Sequence, residues 1–314
     1  KKELPFDNLY LVASSKSEGQ KIIFKGKDHE VLNLENFDFS KVKIAFFAAG
    51  KKISEKFAEK AAKHCLVIDN SSFFRMDPDV PLVVPQVNSV DLKNIKKNII
   101  ANANCSTIQM VIALKPLHEI FKIKRIVVST YQSVSGAGKG PMDELIDQTK
   151  LALDNKLINS KNFTKQIAFN AIPHIDSFLE NGSTKEEQKN HDEVKKILDN
   201  KISITSTCVR IPVLVSHSIS VNVEFNKKHN LEEVKTVLSS SPGCKVVDEH
   251  KDGGYITPVE AEDKFETFVS RIRDDSSQPN SINMWIVSDN LLKGAALNAV
   301  EIAEALVEKD FYGR

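Results

Sequence analysis

The sequence predicts a two-domain α/β protein, with an open, largely parallel sheet first and then an α+β domain built on a large mixed sheet. Three observations predict it. Short apolar strands alternate with amphipathic helical stretches through the first third of the chain, the pattern of an open α/β sheet. Long β-rich stretches dominate the middle, several with helices between them. The final stretch DNLLKGAALNAVEIAEALVE has the periodicity of a helix that returns to cover the first domain.

In chain order, Lys1 is not a methionine, and a short polar stretch runs straight into the apolar strand Leu9–Ala13 with no opening strand and glycine loop before it. The chain is therefore expected to begin inside a fold. Lys21–Phe24 and Glu30–Leu34 flank Lys25–Gly26–Lys27 as a hairpin, and Val42–Ala48 is a continuous apolar run of the kind buried in a parallel sheet. A helix follows, with Ile53, Phe57 and Ala61 every four residues, and then a short strand, Leu66–Ile68, ending in Asp69 and Asn70. Open sheets bind ligands beyond the carboxyl ends of their strands, which is where AAG (48–50), DNSS (69–72) and NANCST (102–107) fall. Strands are expected over 123–134, 202–210, 217–225, 265–273 and 281–287, and in the last helix Leu291, Ala295, Ala299, Ala303 and Leu306 fall near one face.

Composition sets the outer limits. At 314 residues, 41% hydrophobic and 27% charged, the chain can bury a sizeable core. Its 43 Lys plus Arg against 42 Asp plus Glu leave a net charge of +1, so bulk charge calls for neither nucleic acid nor an anionic membrane. Any bound anion must be held locally. No apolar run approaches the ~18 residues of a membrane span, and a cytoplasmic location is expected. Cys65, Cys105, Cys208 and Cys244 are scattered, forming neither a disulfide framework nor a CxxC site, and no metal is expected.

Cys105 lies between the strand-like NIIANAN and the helical pattern beginning TIQMVIAL. A helix N-terminus offers unpaired N–H groups that favour a thiolate and then stabilise an oxyanion. Against this, cysteine is more often a small buried hydrophobe, the reading that suits Cys65 and Cys244. The segment STYQSVSGAGKGPMDEL places Gly136, Gly138 and Gly140 between a strand and a helix, where either close approach to a ligand or a tight connection demands glycine. Arg210 and His217 are seven apart, on opposite faces of an uninterrupted strand, but Pro212 argues for a break that lets both face one site. Glu186 and Lys189 share a helix face, a spacing that usually marks a solvated pair. Arg75 follows a strand end, where it can meet an anion.

The segments FFAAG, IDNSSFFRMD, VPQVN, NANCST, STYQSVSGAGKG, TKEEQK, TCVRIPVLVSHS and DNLLKGAALNAVEIAE, in this order over essentially the whole chain, resemble the bacterial aspartate-β-semialdehyde dehydrogenase family. The resemblance implies a Rossmann-like NADP-binding domain over 1–103 and 289–314, and a catalytic and dimerisation domain over 104–288. It puts the nucleophile at Cys105, its partner at Gln132 and the acid/base at His217. The substrate carboxylate falls to Arg210 and the phosphate to Arg75. Asn104, Glu186 and Lys189 become further substrate contacts, with Glu187 the neighbouring carboxylate. A homodimer is implied.

For the cofactor half, the family's GATGxVG-like loop has no counterpart here. That loop is expected to lie before Lys1, so the chain as written is expected to bind NADP weakly. ASSKSEG is similar to the family's ASxRSAG 2′-phosphate segment, keeping Ser14 and Ser17 but carrying Lys16 where arginine is usual, which keeps the charge and loses the bidentate fork. NADP is thereby expected over NAD, with Gly50, Ser135, Gly136, Gly138 and Asn290 completing its contacts.

The implied reaction is reversible reductive dephosphorylation of L-aspartyl 4-phosphate to L-aspartate 4-semialdehyde through a Cys105 thioester, on the branch toward lysine, threonine and methionine. His217 then either protonates the thiohemiacetal oxygen or relays the thiol proton. The cysteine signatures of two related reductase groups, SCTTN and GCYP, differ from NANCST and disfavour both. The competing reading, a non-catalytic interaction subunit or a truncated relic, sits poorly with a full set of polar site residues.

Overall fold

The computed structural model describes residues 4–308. Its contacts divide the chain into two compact units, one formed by residues up to 81, 91–102 and from 299 onward, the other by 82–90 and 103–298.

In the first unit β1 (Leu11–Ala13) pairs in parallel with β3 (Lys27–Asn33), and β3 pairs antiparallel with β2 (Lys21–Phe24). The hairpin turn sits on Lys25 and Gly26, with φ of 49° and 74°, as a two-residue turn between twisted strands requires. Pairing with β2 recruits the polar Lys27, Asp28 and His29, so β3 starts ahead of its apolar run.

The strands β4 (Ile44–Phe47), β5 (Leu66–Asp69) and β7 (Ile99–Asn102) run parallel in that spatial order. Val67, Ile68, Ile99 and Ile100 are fully buried, as continuous apolar strands should be. β4 is at an edge of this sheet, so its equally apolar sequence leaves Phe46 exposed. Between β4 and β5, α1 (Lys51–Ala61) buries Phe57, Ala58 and Ala61, while Ser54 Oγ donates to Asp69 Oδ1 at 2.7 Å. Asp69 also accepts from the N–H and hydroxyl of Ser71, which shapes the turn beyond β5.

The second unit opens with β6 (Leu82–Val83) and α2 (Pro85–Asn88). Its centre is α3 (Cys105–Phe121), in which Ile108, Met110, Val111, Ile112, Ala113, Leu114 and Leu117 are all buried. A helix apolar on every side belongs in a core rather than on a surface. Then come β8 (Ile123–Gln132), α4 (Lys139–Leu153), α5 (Lys185–Ile197), β9 (Ser203–Arg210) and β10 (His217–Phe225). They are followed by α6 (Leu231–Ser240), β11 (Cys244–Val246), α7 (Pro258–Ala261), β12 (Thr267–Asp274) and β13 (Ser281–Ser288).

Six of these strands make one mixed sheet in the order β11-β12-β13-β10-β8-β9. β8 and β9 are parallel, whereas β10 is antiparallel to both β8 and β13. The ends of β8 and β9 and the start of β10 therefore meet along one margin, with Gln132 opposite Arg210 and His217 opposite Ser288. The long connection from α4 to α5 is tied down by side chains. Glu144 accepts from the N–H groups of Lys161 and Asn162, and Gln148 Oε1 from those of Ile167 and Ala168. They satisfy backbone donors that have no ladder to join.

The last helical stretch is irregular only at its start. A π turn over Leu292–Ala296, with Gly294 N–H bonded to Asp289 O at 3.0 Å, precedes α8 (Leu297–Glu308). Ala299, Ala303 and Leu306 are buried as expected and Ile302 joins them, whereas ahead of them, at the π turn, Leu291 is exposed and Ala295 only partly buried.

Candidate active site

Cys105 is the first residue of α3, and Asn104 caps it by accepting the Ser106 N–H on Oδ1 at 2.9 Å. The thiol is in no disulfide and is half-buried. The cap is itself held by α5. Asn104 N–H donates to Glu193 Oε2 at 2.6 Å and its Nδ2 to Glu186 Oε1 at 3.0 Å. Asn190 accepts from Thr107 Oγ1 and donates to Cys208 Sγ. Glu186, Asn190 and Glu193 thus form a buried polar stripe on α5 directed at the start of α3.

Glu186 is almost completely filled. Gln132 Nε2 donates to Oε1 at 3.1 Å, and Lys189 Nζ to Oε2 at 2.9 Å while also reaching Asp176 Oδ2 at 2.9 Å. Burial alone would raise the Glu186 pKa, but the Lys189 charge and the donors from Lys189, Gln132 and Asn104 bring it below the usual carboxylate range. Lys189 is correspondingly raised by Glu186 and Asp176 against the opposing pull of burial. Glu187 has a different task. It closes the capping box with Thr184 and accepts the Cys208 N–H.

The break at Pro212 is real in the backbone. β9 ends at Arg210, the connection 211–214 lies along 132–135 through bonds from Ile211, Val134 and Ser135 N–H groups, and Ser216 turns into β10 at a φ of 74°. Arg210 and His217 consequently converge on Gly136, where an added Cβ would stand 3.2 Å from Arg210 Nη1 and 3.1 Å from His217 Nε2. Gly136 is therefore glycine to leave these two side chains room.

Arg210 Nη1 donates to Ser133 O at 2.5 Å, and its pKa is pulled down by burial while Cys105 and Glu186 favour the charged form. His217 is fully buried, with Nδ1 accepting from Ser133 N–H at 3.0 Å and 3.0 Å from Ser133 Oγ. Burial, then the Arg210 charge, hold its pKa well below the ordinary imidazole value. Asn290 Oδ1 accepts from Ser133 Oγ, Ser135 Oγ and Ser216 N–H, so this buried amide knits the loops around His217.

Cys105, Asn104, Gln132, Glu186, Lys189, Arg210 and His217 therefore belong to one network in the second unit, with Ser135, Gly136 and Asn290 around His217. Gly138, at a φ of 101°, caps α4 with open space where a side chain would be. The other candidates lie in the first unit. Arg75 is buried and donates to Asn102 O and Asn70 O at 2.9 and 3.0 Å. Ser14 and Ser17 span a turn after β1 closed by Ser17 N–H to Ser14 O, in which Lys16 is exposed. Gly50 precedes α1 at a φ of 88°, without a side-chain cap and with open space beside it.

Four contributors escaped the sequence reading: Ser133, Asn190, Glu193 and Gly294. The π turn carries Gly294 against Cys105, so that an added Cβ would lie only 2.9 Å from the cysteine Cβ. Asn190 and Glu193 had a signal, since they continue the Glu186 face at helical spacing toward the core side marked by Val194 and Ile197. Ser133 and Gly294 act by backbone and by proximity, which no side-chain pattern announces.

Two family models match the chain: the semialdehyde dehydrogenase NAD binding domain over residues 1–95 and the semialdehyde dehydrogenase dimerisation domain over 114–293. The chain is 51% identical to aspartate-semialdehyde dehydrogenase of Aquifex aeolicus, over 98% of this chain and 92% of that protein. It is similar to the solved structure of Vibrio cholerae aspartate semialdehyde dehydrogenase II complexed with ASA, with a TM-score of 0.94 and 47% identity, covering 97% of this chain and 91% of that one. It is also similar to the Candida albicans aspartate semialdehyde dehydrogenase with NADP, with a TM-score of 0.74 and 25% identity over 97% and 92% of the two chains.

Proposed function

This chain belongs to the aspartate-semialdehyde dehydrogenase family, and from that premise we propose that it interconverts L-aspartyl 4-phosphate and L-aspartate 4-semialdehyde by thiol chemistry at Cys105. The observation that carries the reading is the half-buried thiol, in no disulfide, at the first residue of α3 and in the field of the buried Arg210.

In the reductive direction the Cys105 thiolate attacks the acyl carbon, the C–O bond to phosphate breaks, and a thioester remains. NADPH, when bound, supplies the hydride. Arg210 retains guanidinium donors besides the one given to Ser133 O, and these grip the substrate carboxylate. Glu186, kept ionised by its donors, faces the substrate's amino end, while Lys189 serves the phosphate. Gln132 and Asn104 fix the Glu186 carboxylate and support the thiol's surroundings. Together they hold the acyl carbon against the thiol.

The residues present suit a dinucleotide phosphate. In the first unit the uncapped start of α1 at Gly50 leaves N–H groups open to an anion, and Ser14, Lys16 and Ser17 offer hydroxyls and an ammonium on an exposed turn. Ser135, Gly136, Gly138 and Asn290 keep their proposed cofactor roles in the second unit. The dimerisation domain supports a homodimer as the working assembly, its location proposed as cytoplasmic. Among the described residues no helix is long and apolar enough to cross a membrane.

The test is the phosphate-dependent reduction of NADP by aspartate semialdehyde, followed as NADPH absorbance. Turnover that vanishes in Cys105→Ser and without phosphate is expected. A chain that turns over equally without phosphate, or with Cys105 replaced, does not have this function.

A further inference from the structure

We infer that Asp176 sets how tightly the site holds inorganic phosphate: its carboxylate occupies the Lys189 ammonium while phosphate is away and gives up that place when phosphate binds. The inference rests on Lys189 serving the phosphate, as proposed above.

Backbone pairing at both ends of the segment 172–178 brings Asp176 to Lys189. At its start Ile172 and Arg210 exchange N–H···O bonds of 2.9 and 2.8 Å. At its end Lys185 N–H donates to Ser177 O at 2.9 Å, and Phe178 pairs with Thr184, the cap of α5. Between them Ile175 is buried, and the His174 ring stacks on that of Phe178 with 4.3 Å between centroids and 9° between planes. Asp176 itself stands at a φ of 67°, a left-handed conformation that aspartate, asparagine and glycine adopt more readily than other residues. The segment thus runs from the backbone of Arg210 to the first turn of the helix that carries Glu186 and Lys189, and its carboxylate is held there by the fold.

An ammonium has three N–H donors, and that of Lys189 gives one to Glu186 Oε2 and one to Asp176 Oδ2, both at 2.9 Å. The two acceptors are not equivalent. The Glu186 side chain is 7% exposed, and its other oxygen accepts from Gln132 and Asn104. The Asp176 side chain is 37% exposed, and its other oxygen accepts from the N–H of Ser177 in its own turn. Moving Glu186 off the ammonium would strand a buried carboxylate, whereas Asp176 can turn to water at small cost. Asp176 is therefore the partner that yields.

Charge makes the exchange matter. One positive charge on Lys189 stands against two negative ones, and the exposed Lys185, whose charge also reaches Asp176, is hydrated. Burial would raise the Asp176 pKa, but the Lys189 ammonium, the Ser177 N–H and the Lys185 charge bring it below the usual carboxylate value, so it meets an incoming anion ionised. A phosphate oxygen that takes a donor from Lys189 comes up beside this carboxylate, and like charges so close repel even near solvent. Free phosphate is thereby bound weakly. In the reductive direction the same carboxylate reclaims the ammonium once the thioester has formed, which favours departure of the phosphate.

Asp176→Asn keeps an oxygen acceptor for Lys189 and suits the φ of 67°, so it removes the charge and little else. In the oxidative direction its KM for phosphate should fall roughly three- to tenfold, and phosphate should inhibit the reductive direction more tightly by the same factor. The KM for aspartate semialdehyde should change much less. Asp176→Gly, also at home at this φ, removes charge and acceptor together and should lower the phosphate KM as well. Loss of a merely structural contact does not tighten a ligand. A raised phosphate KM in either variant would show that Asp176 positions Lys189 and does not compete for it, and an unchanged KM in both would leave it no part in phosphate binding; each result overturns the inference. A ³¹P NMR titration of the unaltered chain and both variants with inorganic phosphate reads the same change without turnover. Absence of phosphate-dependent turnover in the unaltered chain would count against the proposed function, while the titration would still decide on Asp176.

Discussion

Cys105 differs from the other three cysteines in what surrounds it. Burial pushes the thiol of Cys65 up to about 11 and those of Cys208 and Cys244 up to about 12, leaving all three as inert thiols near neutrality. Brief iodoacetamide treatment at neutral pH should therefore modify Cys105 first, as read by peptide mass spectrometry. Faster labelling of any other cysteine would remove it as the nucleophile. Arg210 offers a second test at this scale. Arg210→Lys keeps a charge and loses the planar fork, so the KM for aspartate semialdehyde should rise about ten- to hundredfold, the worth of one charge-assisted bond, with the KM for phosphate changed less. Initial-rate kinetics in both substrates decide; equal rises would place Arg210 elsewhere than on the carboxylate.

At the scale of elements, the π turn and α3 form a matched pair, because only glycine fits between the turn and the cysteine. Gly294→Ala would ordinarily favour a helix by up to about 1 kcal/mol, yet here its Cβ must displace Cys105. Activity should fall on the order of 10²-fold with little change in Tm, a split visible by comparing kcat/KM with thermal unfolding. Unchanged activity would show that Cys105 tolerates the shift. This pair also marks the limit of what could be read in advance. The strands β5, β8, β9, β10, β12 and β13 were legible because their apolar runs and their Gly and Pro boundaries are local signals, and α3 was legible from NANCST and its apolar continuation. The buried face of α8 at Ala299, Ala303 and Leu306 was legible too, but the π turn before it was not, since one extra residue in a turn leaves no trace in a repeat of apolar residues. The choice between Glu186 and Glu187 was equally invisible, for adjacent carboxylates differ only in which way α5 faces: Glu186 toward Asn104 and Gln132, Glu187 back to its own cap.

For the whole molecule, buried titratable groups predict how stability varies with pH. His217 stays neutral when folded, with a pKa well below its ordinary value, so as pH falls below about 6.5 only the unfolded chain takes up the proton, and stability falls by up to about 1.4 kcal/mol per pH unit from this group. The cysteines work in the opposite direction. Cys65, Cys208 and Cys244 keep their protons when folded, so stability falls as pH rises past about 8.5 and the unfolded thiols ionise. Urea midpoints should therefore show a plateau between these limits and a decline on both sides, the alkaline one shared among three groups. A midpoint that keeps rising above pH 9 would contradict the burial of these thiols.

The sheet margin that gathers Gln132, Arg210 and His217, together with the turn that brings in Gly294, also fixes an order of events during synthesis. Cys105 leaves the ribosome about two hundred residues ahead of Gly294, which at ~5–20 residues per second is roughly ten to forty seconds. For rather more than half of that interval the nascent chain carries the thiol without the arginine and the imidazole, and to its end without the glycine contact that directs it. Its chemistry is thus withheld until Gly294 has emerged.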